Sequence, residues 1–230
     1  MTQSVPAAKA IHIVVLLDRS GSMETIASDV VGGYNTFIKQ QLEAGADASV
    51  TLVQFDDENA NEVVYEGLPI ADVPKLTSKT FIPRGSTPLF DATGKLVSRV
   101  RELRANDDRP TNEQPDVVFV TITDGHENAS NEFSLQQVRQ LTANCEKEGW
   151  TFVYLSAGLD AYGDADDLGV NSGRARAFRA NKGGADAMFS NLSSSMLMLR
   201  DKKRRGMDTS ADPFFDESKV DRILGEDDED

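Results

Sequence analysis

Three apolar runs, separated by segments of helical periodicity, constrain the fold of this chain most strongly. They are Ile11–Leu17, Val117–Ile122 and Trp150–Leu155. Strands that are apolar at nearly every position are buried on both faces, which is typical of a parallel sheet covered by helices. The runs therefore predict an α/β fold built around a parallel, doubly wound central sheet.

The segments between these runs complete the predicted order of elements. Apolar residues at three- and four-residue spacing predict four helices, over Met23–Leu42, Leu89–Leu103, Leu135–Glu148 and Ala185–Arg200. Two short apolar segments, Ser49–Phe55 and Glu62–Tyr65, are joined by a polar turn too short for a crossover helix, so they predict an antiparallel hairpin. Arg174–Ala180 is predicted to be an edge strand.

Charge and length indicate one domain followed by an acidic tail. The 230 residues include 24 Lys and Arg against 38 Asp and Glu, a net charge of −14, which argues against nucleic-acid binding. Periodic structure ends near residue 205, so we expect a leader over residues 1–10, a domain over 11–205 and a disordered tail over 206–230. Ten acids and two bases lie between Asp208 and Asp230.

Cysteine content and hydropathy predict a cellular location. The chain has one cysteine, Cys145, which excludes an internal disulfide and a zinc site built from cysteines. The apolar run Ile13–Leu17 is much shorter than a secretion signal or a membrane span. We therefore expect a soluble cytoplasmic protein that does not bind membranes.

Oxygen-bearing side chains cluster where predicted strands end. Asp18, Ser20 and Ser22 follow the first strand at alternate positions, Asp124 follows the second buried strand, and Thr87 precedes a helix. Ligands of doubly wound sheets bind beyond the carboxyl ends of the strands. Carboxylate and hydroxyl oxygens are hard donors, which suit Mg²⁺, Mn²⁺ or Ca²⁺ better than zinc or copper. The pattern predicts a site for one divalent cation.

Each of these residues also has an ordinary structural explanation. Ser20, Ser22 or Thr87 alone is more often a helix cap than a metal ligand, and Asp124 alone suits a turn before a glycine. The metal hypothesis therefore depends on the set of five. His126 and Glu127, beside the predicted site, are expected to be rim residues that face a ligand rather than catalytic groups.

The phrases Asp18-Arg-Ser-Gly-Ser-Met23, Gly85-Ser-Thr-Pro-Leu-Phe-Asp91 and Thr123-Asp-Gly-His-Glu-Asn128 resemble the metal-ion-dependent adhesion site of von Willebrand factor type A (vWA) domains. They are most similar to stand-alone bacterial and phage versions. The resemblance implies a mostly parallel sheet with one antiparallel edge strand and helices on both faces. It also implies that Ser20, Ser22 and Thr87 contact the metal, while Asp18 and Asp124 act largely through water or hydrogen bonds.

The leading hypothesis for function is a non-enzymatic module that captures an acidic residue of a partner protein through Mg²⁺, with Mn²⁺ or Ca²⁺ as alternatives. A Mg²⁺-dependent phosphoryl-transfer or hydrolytic enzyme is the second hypothesis, although the sequence lacks a phosphate-binding glycine loop. The third is a scaffold subunit, and here the resemblance implies an AAA-type ATPase as a candidate partner.

Overall fold

The computed structural model of the chain describes residues 10–157 and 161–215. Its centre is a six-stranded sheet with the strand order β3-β2-β1-β4-β5-β6. The strands are β1 (Ile11–Asp18), β2 (Ala48–Phe55), β3 (Glu62–Pro69), β4 (Asp116–Thr123), β5 (Thr151–Ser156) and β6 (Ala175–Ala177).

Pairing within the sheet is parallel except at one edge. Strand β1 lies between β2 and β4 and runs parallel to both, while β2 and β3 form the predicted antiparallel hairpin. The predicted edge strand is present as β6, which pairs with β5 in parallel. The α/β fold with one antiparallel edge strand is thus confirmed. Since β1 and β4 are adjacent and parallel, the loops that follow them leave the sheet at the same edge.

In the part of the chain that the structure describes, five α-helices cover the two faces of the sheet. They are α1 (Ala27–Glu43), α2 (Leu89–Ala105), α3 (Leu135–Lys147), α4 (Ala161–Asp167) and α5 (Lys182–Arg204). Alternate residues of β1 point to opposite faces: Ile13, Val15 and Leu17 pack in a core with residues of α1 and α5. Val14 and Leu16 pack with residues of α2, α3 and α4. None of the helices in the described residues is long and apolar enough to span a membrane.

Helices α1 and α5 approach each other closely at a glycine. A Cβ atom added to Gly33 would lie 2.1 Å from the ring of Phe189, so only a residue without a side chain fits there. Buried residues on α1 recur at three- and four-residue intervals on the same side, including Val30, Tyr34 and Phe37. This side of α1 therefore faces α5 and the sheet.

The amino end of β2 is held by a carboxylate shared between two arginines. Asp47, the residue before β2, accepts hydrogen bonds from Arg200 at 2.6 Å and from Arg204 at 2.7 Å. Arg200 is buried, with 1% of its surface exposed, and also donates to the Gly45 carbonyl. The basic end of α5 thus anchors the helix at the edge of the sheet opposite the loops that follow β1 and β4.

Packed structure continues beyond the domain boundary predicted at residue 205. The backbone N–H groups of Phe214 and Phe215 donate to the Gly173 carbonyl at 3.0 and 3.1 Å, and both rings are buried. The guanidinium carbon of Arg176 lies 4.7 Å from the centre of the Phe215 ring. The first part of the predicted tail, residues 206–215, therefore packs beside β6, while the prediction for 216–230 lies outside the described residues.

Candidate metal centre

The five predicted site residues lie at one edge of the sheet. Asp18 is the last residue of β1, and Ser20 and Ser22 belong to the turn that follows it. Asp124 follows β4, while Thr87 lies in the loop that leads into α2. Two neighbouring parallel strands and one helix start therefore deliver these side chains from three separate parts of the chain.

Short distances between polar atoms show that the hydroxyl groups converge. The Oγ atoms of Ser20 and Ser22 are 3.1 Å apart, and the Ser22 hydroxyl donates to Oδ1 of Asp124 at 2.7 Å. A Cβ atom added to Gly125 would lie 3.2 Å from Thr87 Oγ1 and 3.8 Å from Ser22 Oγ. The hydroxyl groups of Thr87 and Ser22 thus approach the same glycine from two different loops.

Asp18 lies beneath this group of hydroxyls and is completely buried. Its Oδ1 accepts a hydrogen bond from the Ser20 backbone N–H at 2.6 Å, and its Oδ2 accepts one from the Thr123 hydroxyl at 2.5 Å. Burial, together with the nearby negative charge of Asp124, raises the pKa of Asp18 to about 6, against the opposing effect of the hydrogen bonds from Thr123 and Ser20. Asp18 is placed to orient the loop that carries the serines.

The structure argues against the helix-cap explanation for these hydroxyls. Ser20 precedes a 3₁₀ turn over Gly21–Ile26, yet its side chain makes no capping hydrogen bond to the described residues. Helix α2 begins at Leu89 and its cap position is Pro88, so Thr87 lies one residue too early to cap it. The hydroxyls of Ser20 and Thr87 therefore do not cap the amino-terminal ends of these helices.

The donor set fits a hard divalent cation. All five side chains offer oxygen atoms, and two of them are carboxylic acids. Within residues 10–157 and 161–215 there is no group of three or more His, Cys, Asp or Glu residues that could hold a metal. A cation at this edge of the sheet would consequently depend on the serine and threonine hydroxyls, and oxygen donors of this kind suit hard cations such as Mg²⁺ or Mn²⁺ better than copper.

Thr87 is held in place by a residue that the sequence analysis did not single out. The Thr87 backbone N–H donates to Oδ1 of Asn128 at 2.9 Å, and the Asn128 backbone N–H donates to the Thr87 carbonyl at 3.1 Å. These two reciprocal bonds fix the loop before α2 to the loop after β4. Thr123, which anchors Asp18, was missed as well.

The rim prediction for Glu127 is wrong. Its carboxylate accepts hydrogen bonds from the backbone N–H of Phe90 at 2.8 Å and of Ser130 at 2.6 Å, and also from the Ser130 hydroxyl. Oε2 therefore ties the loop after β4 to the first turn of α2, while Oε1 accepts hydrogen bonds within that loop. A glutamate that satisfies helix N–H groups in this way is not turned towards a ligand.

His126 differs from its neighbour because its side chain is 51% exposed. Its Nδ1 atom lies 3.0 Å from Oδ1 of Asp164 on α4. The structure thus places the acidic side chain of Asp164 beside His126, on the β4 side of the candidate metal centre.

Comparisons with known proteins match the fold but not the sequence. No protein-family model and no curated protein matches the chain. Proximal thread matrix protein 1 from the mussel byssus gives a TM-score of 0.55 at 15% identity, over 86% of this chain and 49% of its own length. This chain thus spans about half of that protein.

Two further solved structures are similar over more of their own length. The manganese-loaded TRAP protein of Plasmodium vivax gives a TM-score of 0.52 at 15% identity, over 79% of this chain and 72% of its own. The VWA domain of SpRpn10 gives 0.51 at 14% identity, over 79% of this chain and 94% of its own.

Sheet order and these matches together show that the chain has the fold of a vWA domain. One structure of the mussel protein has zinc in its metal-ion-dependent adhesion site, and the Plasmodium structure contains manganese. Proteins with this fold can therefore hold a divalent cation. Identities of 14–15% extend to the fold alone, so a cation at the five residues of this chain is a proposal.

Proposed function

We propose that this chain is a protein-binding module that captures an acidic side chain of a partner protein through one divalent cation. Mg²⁺ is the preferred candidate, with Mn²⁺ and Ca²⁺ as alternatives. The observation that carries the proposal is the convergence of hydroxyls from two loops, those of Ser20, Ser22 and Thr87, beside Asp124. The fold found in metal-loaded vWA-like structures supports it.

In this proposal the three hydroxyls contact the cation directly. Both Asp18 oxygens already accept hydrogen bonds, so Asp18 orients the serine loop, and Asp124 accepts from Ser22. Mg²⁺ takes about six oxygen ligands, so the three hydroxyls leave positions for water and for a partner. The chain contributes a preorganised half of a coordination sphere.

Neutral hydroxyl ligands explain why an acidic group is the expected partner. A cation bound by hydroxyls keeps most of its charge, because the two aspartates balance it only from a greater distance. When bound, it supplies a coordination position that a Glu or Asp carboxylate can take from water. The partner must therefore present an acidic side chain on a surface that fits the rim of the site.

A catalytic function is not part of the proposal. Glu127 is engaged by backbone groups of α2 and its own loop, and His126 is beside Asp164. Neither arrangement supplies a nucleophile with an adjacent base. An AAA-type ATPase is among the partner proteins that the proposal allows. The pull-down described below would also detect such a partner.

Removal of one hydroxyl ligand tests the proposal. We predict that Thr87→Ala abolishes capture of partner proteins in a pull-down with Mg²⁺, as EDTA does for the unchanged protein, because the cation loses a direct ligand. Thr142→Ala is the matched control: Thr142 is a buried threonine on α3 whose hydroxyl has no hydrogen-bond partner among the described residues. It should leave capture intact.

The same pull-down has clear negative outcomes. Asp18→Ala should reduce capture as well, because the serine loop loses its anchor. Capture that persists in EDTA, or that Thr87→Ala and Thr142→Ala reduce equally, contradicts the proposal. Circular dichroism on each variant separates loss of the site from loss of the fold.

A further inference from the structure

The two loops that carry the hydroxyls are also joined by a partly buried network of charged side chains. We call its three members, Arg19, Asp56 and Arg84, the arginine bridge. Arg19 lies between Asp18 and Ser20, Arg84 lies three residues before Thr87, and Asp56 is the residue after β2. Oδ2 of Asp56 accepts from Nε of Arg19 at 2.6 Å and from Nε of Arg84 at 2.7 Å.

Because two members of this network are buried, their charges must be paired and hydrogen-bonded. Asp56 is fully buried and Arg19 is 5% exposed. A buried charge is tolerated only when it is paired and hydrogen-bonded, and the other oxygen of Asp56 accepts from the backbone N–H groups of Glu58 and Asn59. The pKa of Asp56 is lowered because hydrogen bonds, above all from Arg84, outweigh the upward effect of burial. Asp56 is thus a fixed negative charge.

Backbone contacts show what the network holds together. The Arg84 N–H donates to the Arg19 carbonyl at 2.7 Å, and the Gly21 N–H donates to the Gly85 carbonyl at 3.0 Å. Arg19 also reaches the hairpin, where its guanidinium donates to Glu62 at 2.5 Å. The loop after β1, which carries Ser20 and Ser22, and the loop before α2, which carries Thr87, therefore run side by side. The arginine bridge connects both loops to the end of β2.

We propose that the arginine bridge is a set of positioning residues that holds the two hydroxyl-bearing loops at the spacing one cation requires. The inference rests on the proposed function, because it assumes a cation shared by both loops. None of the three residues contacts the hydroxyls, yet a change in loop spacing moves Ser20 and Ser22 away from Thr87. Metal sites are sensitive to such supporting contacts, whose loss typically weakens binding about 10- to 100-fold.

Two substitutions separate positioning from simple electrostatics. Asp56→Asn removes a negative charge near the site, and Arg84→Gln removes a positive one. If the network acted only through its field, the first would weaken cation binding and the second would strengthen it. Positioning predicts that both weaken it, since each breaks the link between the loops. Arg84 has a side chain that is 41% exposed, so its replacement tests the link even if Asp56→Asn does not fold.

A matched control lies at the opposite end of the same strand. Asp47 precedes β2 and, like Asp56, is shared by two arginines, Arg200 and Arg204. Asp47→Asn changes the net charge by the same amount and breaks the same kind of contact. It acts roughly 25 Å from the candidate site, at about 3.3 Å per strand residue. It should lower the melting temperature without changing cation affinity.

The experiment is a titration of the full chain with Mn²⁺ alone. The electron paramagnetic resonance signal of free Mn²⁺ measures how much of the ion remains unbound at each step. We expect Arg84→Gln and Asp56→Asn each to raise the dissociation constant about tenfold or more, with Asp47→Asn unchanged. Tighter or unchanged binding by Arg84→Gln, or an equal loss with Asp47→Asn, overturns the inference while leaving the proposed function standing. Absence of saturable binding by the unchanged protein overturns both.

Discussion

At the scale of single residues, the site combines motif positions with supporting residues that only the structure reveals. The sequence predicts Asp18, Ser20, Ser22, Thr87 and Asp124 because they follow predicted strands or precede a predicted helix. Thr123, Asn128 and Arg19 act through partners distant in sequence, at separations of 105, 41 and 37 residues. All three residues lie within the quoted motif phrases, but the phrases do not indicate which distant groups they hold, so their supporting roles become visible only in the structure.

The environment of His12 predicts how the stability of the fold depends on pH. It lies on β1 with Nε2 at 2.8 Å from Thr51 Oγ1, and burial followed by the positive charge of Arg104 lowers its pKa from 6.5 to about 4. As the pH falls below 6.5, the unfolded chain binds a proton that the folded chain does not. The His12 contribution to folding is therefore constant above pH 6.5 and becomes unfavourable between 6.5 and about 4.

Urea unfolding at pH 7.5 and pH 5.0 measures this effect. We expect the unchanged protein to lose roughly 1–2 kcal/mol more than His12→Gln between the two pH values, since one pKa unit corresponds to about 1.4 kcal/mol. Glutamine keeps a hydrogen-bonding side chain but has no titrating group. Equal losses in the two proteins would show that His12 is not held neutral.

Among the helices and strands, the strands buried on both faces are the elements that the sequence predicts most accurately. The bounds of β1, β4 and β5 agree with the predicted strands to within a residue or so, because a strand buried on both faces has an unbroken apolar sequence. Helix α4 was not predicted, since its 7 residues are mostly polar or small and carry no apolar stripe. Strand β3 runs on to Pro69, past the expected end at Tyr65, where its alternating exposure weakens the signal.

The contact between α1 and α5 gives a prediction at this scale. Gly33→Ala places a methyl group against Phe189 and should cost about 1–3 kcal/mol of folding free energy, because neither helix can move without disturbing the core. Gly32 is the control on the adjacent position, where an added Cβ meets nothing within 4 Å. Gly32→Ala should stabilise the protein by up to about 1 kcal/mol through helix propensity.

Chemical denaturation of the two variants distinguishes these effects. Similar stability changes for Gly32→Ala and Gly33→Ala would mean that the close approach of the helices does not matter for folding. We expect changes of opposite sign in the free energy of unfolding, a decrease for Gly33→Ala and an increase for Gly32→Ala. This result would show that α1 and α5 pack closely at Gly33.

At the scale of the whole molecule, the two ends of the sheet have different roles. The amino end of β2 is closed by Asp47, Arg200 and the final turn of α5. The carboxyl ends of β1 and β4 instead carry hydroxyls and acids that are left free of helix caps. This division follows from parallel strand pairing, which collects the loops after several strands at one edge.

Net charge bears on how such a molecule could bind an acidic partner. The chain carries −14 overall, so an acidic protein experiences long-range repulsion from it. A divalent cation at the edge of the sheet would reverse the charge locally, where contact is made. In the proposed function, one cation held by two loops thus provides both the attraction and the specific contact.

Water proton relaxation in a Mn²⁺ titration tests whether one cation is held in this way, because it reports both the number of bound ions and the water that remains on them. We predict one saturable site per chain, enhanced relaxation from exchangeable water, and a fall in enhancement when a peptide with an accessible aspartate is added. Thr87→Ala should remove the enhancement and Thr142→Ala should keep it. The absence of a saturable site, or equal enhancement in both variants, would show that these hydroxyls do not hold a cation.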